Sequence, residues 1–216
     1  MFIRKLMLLV AVSLSLPQTA VAGEYTPIIE RIDAEVRANA QWSQEAEQCP
    51  ADLMPGHRAL EIDARDCNTA DQLDGCLARC TAGDAYSCLR TAVTLQQLGG
   101  DPAGFEPLYQ RACKLGAPSG CTNHAAGLYR ADMQNERVQA CAARSFTKAC
   151  DQDDPWACTM LGMYLARGIG VEQDLPKALE VLKKSCKYGE EDPACSNALQ
   201  LGASIRKTLD EARTTE

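Results

Sequence analysis

Residues 113–121 read CKLGAPSGC, and the relation between the two cysteines decides the fold. On one continuous helix, eight steps of about 1.5 Å would hold them about 12 Å apart. A disulfide needs Cα atoms within about 7 Å. If the pair is bonded, the chain must turn between them, and Gly116-Ala117-Pro118 are helix-stopping, turn-forming residues. The spacing recurs from Cys80 to Cys88 around Gly83-Asp84, from Cys150 to Cys158 around Asp153-Asp154-Pro155, and, one residue longer, from Cys186 to Cys195 around Gly189 to Pro193. Each unit reads as the end of one helix, a tight turn and the start of the next, clamped across the turn.

Working outward, the segments between clamps carry helical periodicity. In residues 158–186, Leu161, Tyr164 and Leu165 repeat at helical spacing before RGIGVEQDLP breaks the pattern. Asp174 then caps a second helix, with Leu175, Ala178, Leu179, Leu182 and Cys186 on one stripe. Residues 88–113 repeat the plan, with GGDP as the break and Phe105, Tyr109 and Cys113 as the second stripe; residues 121–150 follow it more loosely around ADMQN. Equivalent cysteines at 80, 113, 150 and 186 are 33, 37 and 36 residues apart. Two helices per period of this length predict an all-α protein, an α-solenoid of disulfide-clamped αα-hairpins.

The chain opens MFIRKLMLLVAVSLSLPQTAVAGEY, with Arg4 and Lys5 before an apolar run that ends Ala20-Val21-Ala22. This is the layout of a cleaved signal peptide over residues 1–22 and predicts a periplasmic or secreted protein with no membrane span in the mature chain. Loss of Arg4 and Lys5 takes the net charge from −7 to −9. An acidic chain without basic blocks argues against nucleic acid and anionic membrane as partners. Residues 23–66 read as an N-terminal cap. Thr26 to Glu47 forms an amphipathic helix with Ile28, Ile29, Ile32 and Val36 on one face, and a looped connection follows; such a helix would cover the open end of a solenoid over residues 67–216.

Twelve cysteines in an exported chain predict six disulfides. Zinc would need close ligand pairs, and the only short spacing is Cys76 to Cys80. Outside the repeating clamps, Cys67 and Cys76 enclose turn-compatible residues and pair as an N-terminal clamp, leaving Cys49 with Cys141. Cys49 with Cys67 and a free or intermolecular Cys141 is an alternative, and four leftover cysteines allow three connectivities. His57 and His124 lie in no haem or zinc motif, so no cofactor or metal is expected, and His124 reads as a packed or half-buried helix residue.

Residues 161–179, LGMYLARGIGVEQDLPKAL, resemble the Sel1-like repeat, LGxxYxxGxGVxxDxxKA, through Leu161, Gly162, Tyr164 (one position early), Gly168, Gly170, Val171, Asp174, Lys177 and Ala178. With the clamps, residues 67–216 resemble the cysteine-rich branch of that TPR-like family, typified by the Helicobacter cysteine-rich proteins. The resemblance implies a concave face lined by the first helix of each hairpin and used to hold other proteins. Some members are also credited with binding penicillin-like or cell-wall compounds and with weak β-lactamase activity. A serine enzyme of that kind needs S-x-x-K, S-D-N and K-T-G together. Only S-x-x-K occurs, at Ser145 to Lys148 and Ser204 to Lys207, where a solvated helix face explains it.

Counted from the opening cysteine of each first helix, positions +2, +5 and +9 point away from the packed stripe. These are Arg90, Val93 and Gln97; Asn123, Ala126 and Arg130; Met160, Met163 and Arg167. Arg and Met there suit an extended or acidic protein partner, with Asn123, Arg130, Met160, Met163 and Arg167 as the candidate contacts. The leading expectation is an exported, non-enzymatic scaffold for protein–protein interaction; a β-lactam or cell-wall ligand is the alternative.

Overall fold

The computed structural model describes residues 22–61 and 67–214. The signal-peptide reading of residues 1–22 falls almost wholly outside the described residues. Eleven α-helices and no strands are found among those described. After three N-terminal helices, α1 (Ala22–Ala38), α2 (Ala40–Ala46) and α3 (Pro50–Leu53), come α4 (Leu73–Thr81), α5 (Ala85–Gln97), α6 (Pro102–Lys114), α7 (Pro118–Ala131), α8 (Glu136–Asp151), α9 (Pro155–Arg167), α10 (Leu175–Lys183) and α11 (Pro193–Thr214). From α4 onward each helix packs on the next, which makes the molecule an α-solenoid of antiparallel hairpins. No helix among the described residues is long and apolar enough to cross a membrane.

The clamp turn has a clear backbone logic. At its first helix end, Gly116 N–H bonds Cys113 O (3.0 Å) and Ala117 N–H bonds Ala112 O (2.9 Å), the paired bonds of a Schellman cap. The cap needs a left-handed residue three after the first cysteine. Gly83, Gly116, Asp153 and Gly189 all stand there with positive φ. The chain then enters the next helix at once: Asp84 and Asp154 accept N-terminal amides with their side chains, and Pro118 and Pro155 stand in first turns. The second cysteine thus lies beside the first, at Cα separations of 4.6, 4.5, 4.7 and 4.4 Å for Cys80–Cys88, Cys113–Cys121, Cys150–Cys158 and Cys186–Cys195.

Asp174 caps α10 through Lys177 N–H, but the helix gives way to a 3-10 turn over Lys184–Cys186 before reaching the clamp. Gly168 and Gly170 shape the loop before it. Gly168 closes α9 in the left-handed region at φ 69°, and Gly170, at φ 63°, lies where a Cβ would strike the backbone of Gln139 in α8. Close approach of this loop to the preceding hairpin is what the GxG spacing permits.

Two apolar clusters run through the solenoid. One joins Ile32, Val36 and Trp42 of the N-terminal helices to Leu73, Leu95, Leu108 and Tyr109; the other centres on Phe146 and Tyr164, whose rings meet edge-on at 5.0 Å.

The N-terminal region differs from the single capping helix expected of it. The helix starts at Ala22 and breaks at Asn39, whose side chain accepts Trp42 N–H and starts α2, so that Trp42 and Glu45 can turn inward. The expected loop contains α3. The segment is also more than an end cap, because α1 and α2 lie along α6 while α3 reaches α8. It is a strap across two repeats. Asp33 Oδ2 accepts Asp101 N–H, Gln110 Nε2 donates to Glu45 O and Gln48 O, Lys148 Nζ donates to Ala51 O, and Ala59 N–H bonds Gly116 O. Cys49 is bonded to Cys141, and Cys67 to Cys76. No free cysteine is found among the described residues.

Candidate binding groove

The first helices of successive hairpins, α5, α7 and α9, meet in a groove of about 290 Å³ at the clamp end of the solenoid. From α5 come Tyr86, Leu89, Arg90 and Val93; from α7, Ser119 and Asn123; from the start of α9, Pro155 and Trp156. The final clamp turn adds Tyr188, and the strap closes one side with Arg58 and Glu61. Trp156 is 45 % exposed and Tyr188 62 %, well above the other aromatic side chains described.

The floor is fixed by short links. Arg58 Nε–H donates to Tyr86 Oη at 3.0 Å, and the Arg90 guanidinium is 3.9 Å from Glu61. Asn123 gives one amide hydrogen to Ser119 O at 2.8 Å, leaving its carbonyl oxygen able to accept from a bound backbone N–H. Buried Asp154 ties the first helices together: besides capping α9 through Ala157 N–H, it accepts from Thr122 Oγ1 at 2.9 Å and from Ser119 Oγ.

The face expected from positions +2, +5 and +9 is divided by the structure. Arg90, Val93 and Asn123 share the groove. Met160 and Met163 do not stand clear of the packing; they are half-buried against the second apolar cluster. Arg167 is exposed at the far end of α9, and Arg130 lines a different cavity, described below. Tyr86, Trp156 and Tyr188 were not anticipated from the sequence. A signal for two of them exists: Tyr86, Ser119 and Trp156 each stand two residues before the second cysteine of their clamp, the first turn that faces the groove.

The solvated helix face expected of both S-x-x-K matches holds for Ser204 and Lys207 but not for Ser145, which is buried beneath the strap. Ser145 is fully buried; its hydroxyl donates to Cys141 O (2.9 Å) and accepts Ala51 N–H (3.1 Å), while Lys148 Nζ holds Ala51 O (2.6 Å). Both residues moor the strap, and no substrate could reach that hydroxyl. Ser204 and Lys207 lie on the exposed side of α11, where Lys207 Nζ is 3.8 Å from Glu211. His124 is 1 % exposed, and no group of His, Cys, Asp or Glu suited to hold a metal occurs among the described residues.

The chain is similar to Helicobacter pylori cysteine rich protein B. The likeness to that solved structure covers 63% of this chain and 97% of the other, at 23% sequence identity and a TM-score of 0.45. No protein-family model matches the chain, and no curated protein matches it in sequence.

Proposed function

We propose that this protein is an exported scaffold that holds other proteins in its concave groove and performs no chemistry there. The observation that carries this reading is the pair of exposed aromatic side chains, Trp156 and Tyr188, flanking a groove that also offers Arg58, Arg90 and the Asn123 carbonyl. Aromatic and Arg side chains give the largest contributions at protein interfaces, and a free amide oxygen can take a hydrogen bond from an extended backbone. Six disulfides suit an oxidising compartment outside the cytoplasm.

The reading is tested by placing a photo-crosslinking amino acid at Val93 and irradiating cells that export the protein. Discrete adducts are expected, and Trp156→Ala with Tyr188→Ala should abolish them without changing the melting temperature. Adducts that survive loss of both aromatics, or that form equally from position 207 on α11, would rule the groove out as the binding face.

A further inference from the structure

A second concavity lies at the opposite end of α7 from the groove. It encloses about 590 Å³, within the range of small-molecule sites. Ala46 of the strap, Phe105 and Pro107 of α6, and Leu128 and Ala131 of α7 give it apolar walls. Four ionisable groups line it: Arg37, Glu106, His124 and Arg130.

His124 Nε2 donates to Ala46 O at 2.9 Å, and Nδ1 lies 2.7 Å from Glu106 Oε2, so the imidazole engages the one carboxylate that lines the cavity. Arg37 is partly offset at the rim, 3.6 Å from Asp101 and 3.9 Å from Asp33. Arg130 is exposed and has no ion-pair partner among the described residues. An acidic chain of net charge −7 therefore presents an apolar cavity whose single lining carboxylate is engaged by His124 and whose mouth carries the Arg37 and Arg130 guanidiniums.

We infer that this cavity binds a small amphipathic anion, a medium-chain fatty carboxylate, with its chain against Phe105, Pro107 and Leu128 and its carboxylate at Arg130. The apolar walls provide most of the binding, and the unpaired guanidinium selects a carboxylate over an alcohol or an amine. Buried His124, bonded to Glu106 and to Ala46 O, holds the floor by joining α6 and α7 to the strap.

The test is calorimetric titration of the intact, oxidised protein with sodium decanoate below its micellar concentration. Saturable binding at one site is expected, with decanol at least tenfold weaker and decylamine not bound. Arg130→Gln should weaken decanoate at least tenfold and leave decanol unchanged; because Arg130 is exposed, this variant keeps the fold, as its melting temperature will report. Leu128→Glu, which sets an acid on the partly exposed wall, should abolish decanoate binding. Absence of saturable heat, equal affinity for decanol and decanoate, or decanoate binding unaffected by Arg130→Gln would each overturn the inference. So would displacement of decanoate by an apolar peptide amide at lower concentration, which would assign the cavity to a protein partner.

Discussion

Removing the strap disulfide with Cys49→Ala and Cys141→Ala should lower global stability while leaving the strap docked. A disulfide acts mainly by restricting the unfolded chain, by an amount that grows with the loop it closes. Cys49 and Cys141 are 92 residues apart, against eight for the clamp at Cys113. The chain-entropy relation then gives about 4.5 kcal/mol for the strap bond and about 2.5 kcal/mol for a clamp. Three shorter bonds, Cys67–Cys76, Cys80–Cys88 and Cys113–Cys121, nest within the long loop. They shorten its free length, but the dependence is logarithmic and the value stays above about 4 kcal/mol. Urea unfolding should show that loss, with the melting temperature falling by roughly 8–16 °C. In the native state the strap keeps its other ties: Ala51 N–H to Ser145 Oγ, Lys148 Nζ to Ala51 O, and Arg144 forked onto Asp52. Hydrogen exchange at the Ala51 amide should therefore remain slow in the variant. A stability loss under about 1 kcal/mol would refute the entropic reasoning, and free exchange at Ala51 would show that the disulfide alone holds the strap.

Further outcomes follow from the strap contacts. At Gly104 a Cβ would drive into the Asp33 carboxylate, so Gly104→Ala should cost about 2–3 kcal/mol in chemical denaturation; Gly75→Ala, where only the Arg79 guanidinium is near, should be neutral or slightly stabilising. Ser145→Ala orphans the buried Ala51 N–H and should cost about 1–3 kcal/mol, whereas Ser204→Ala on the exposed face of α11 should stay within about 0.5 kcal/mol. Burial alone would raise the Glu45 carboxyl, but the 2.6 Å bond from Lys114, the Gln41 bond and the nearby Lys114 and Arg111 charges lower it overall from its ordinary 4.5. Its contribution is therefore full above that value and is lost as pH falls through the lowered one, so Glu45→Gln should flatten the acid limb of the stability profile. Asp33 has the opposite sign: burial lifts it above its ordinary 3.8, so its ionised form costs stability at neutral pH. Asp33→Asn should accordingly be more stable than the parent at pH 7 and no more stable at pH 3, as thermal melts at the two values will show.

Much of the architecture is legible because it is local. The turn residues inside each clamp, the Asp174 cap and the 33- to 37-residue periods all depend on neighbours within a few turns of helix. Legibility fails where a residue's surroundings come from elsewhere in the chain. Asn39 breaks a helix that periodicity runs through, because Trp42 and Glu45 gain burial by turning inward. Met160 and Met163 fall on the outer face when counted along α9 alone, yet the stacking of neighbouring hairpins half-covers them. Trp156 and Tyr188 could not be told from core aromatics without knowing what packs over them, and both stay exposed.

The sequence by itself determined the all-α class, the hairpin repeat and the geometry of each clamp turn, since a left-handed residue and a following cap need only adjacent residues to form. Only the tertiary structure decided the course of the strap, the use of Ser145 and Lys148 to moor it, the groove shared by three first helices, and the apolar cavity around His124 and Glu106. Those features are built from contacts between residues up to 97 positions apart, and the ordering of such distant groups depends on how whole helices stack, which periodicity within one helix does not encode.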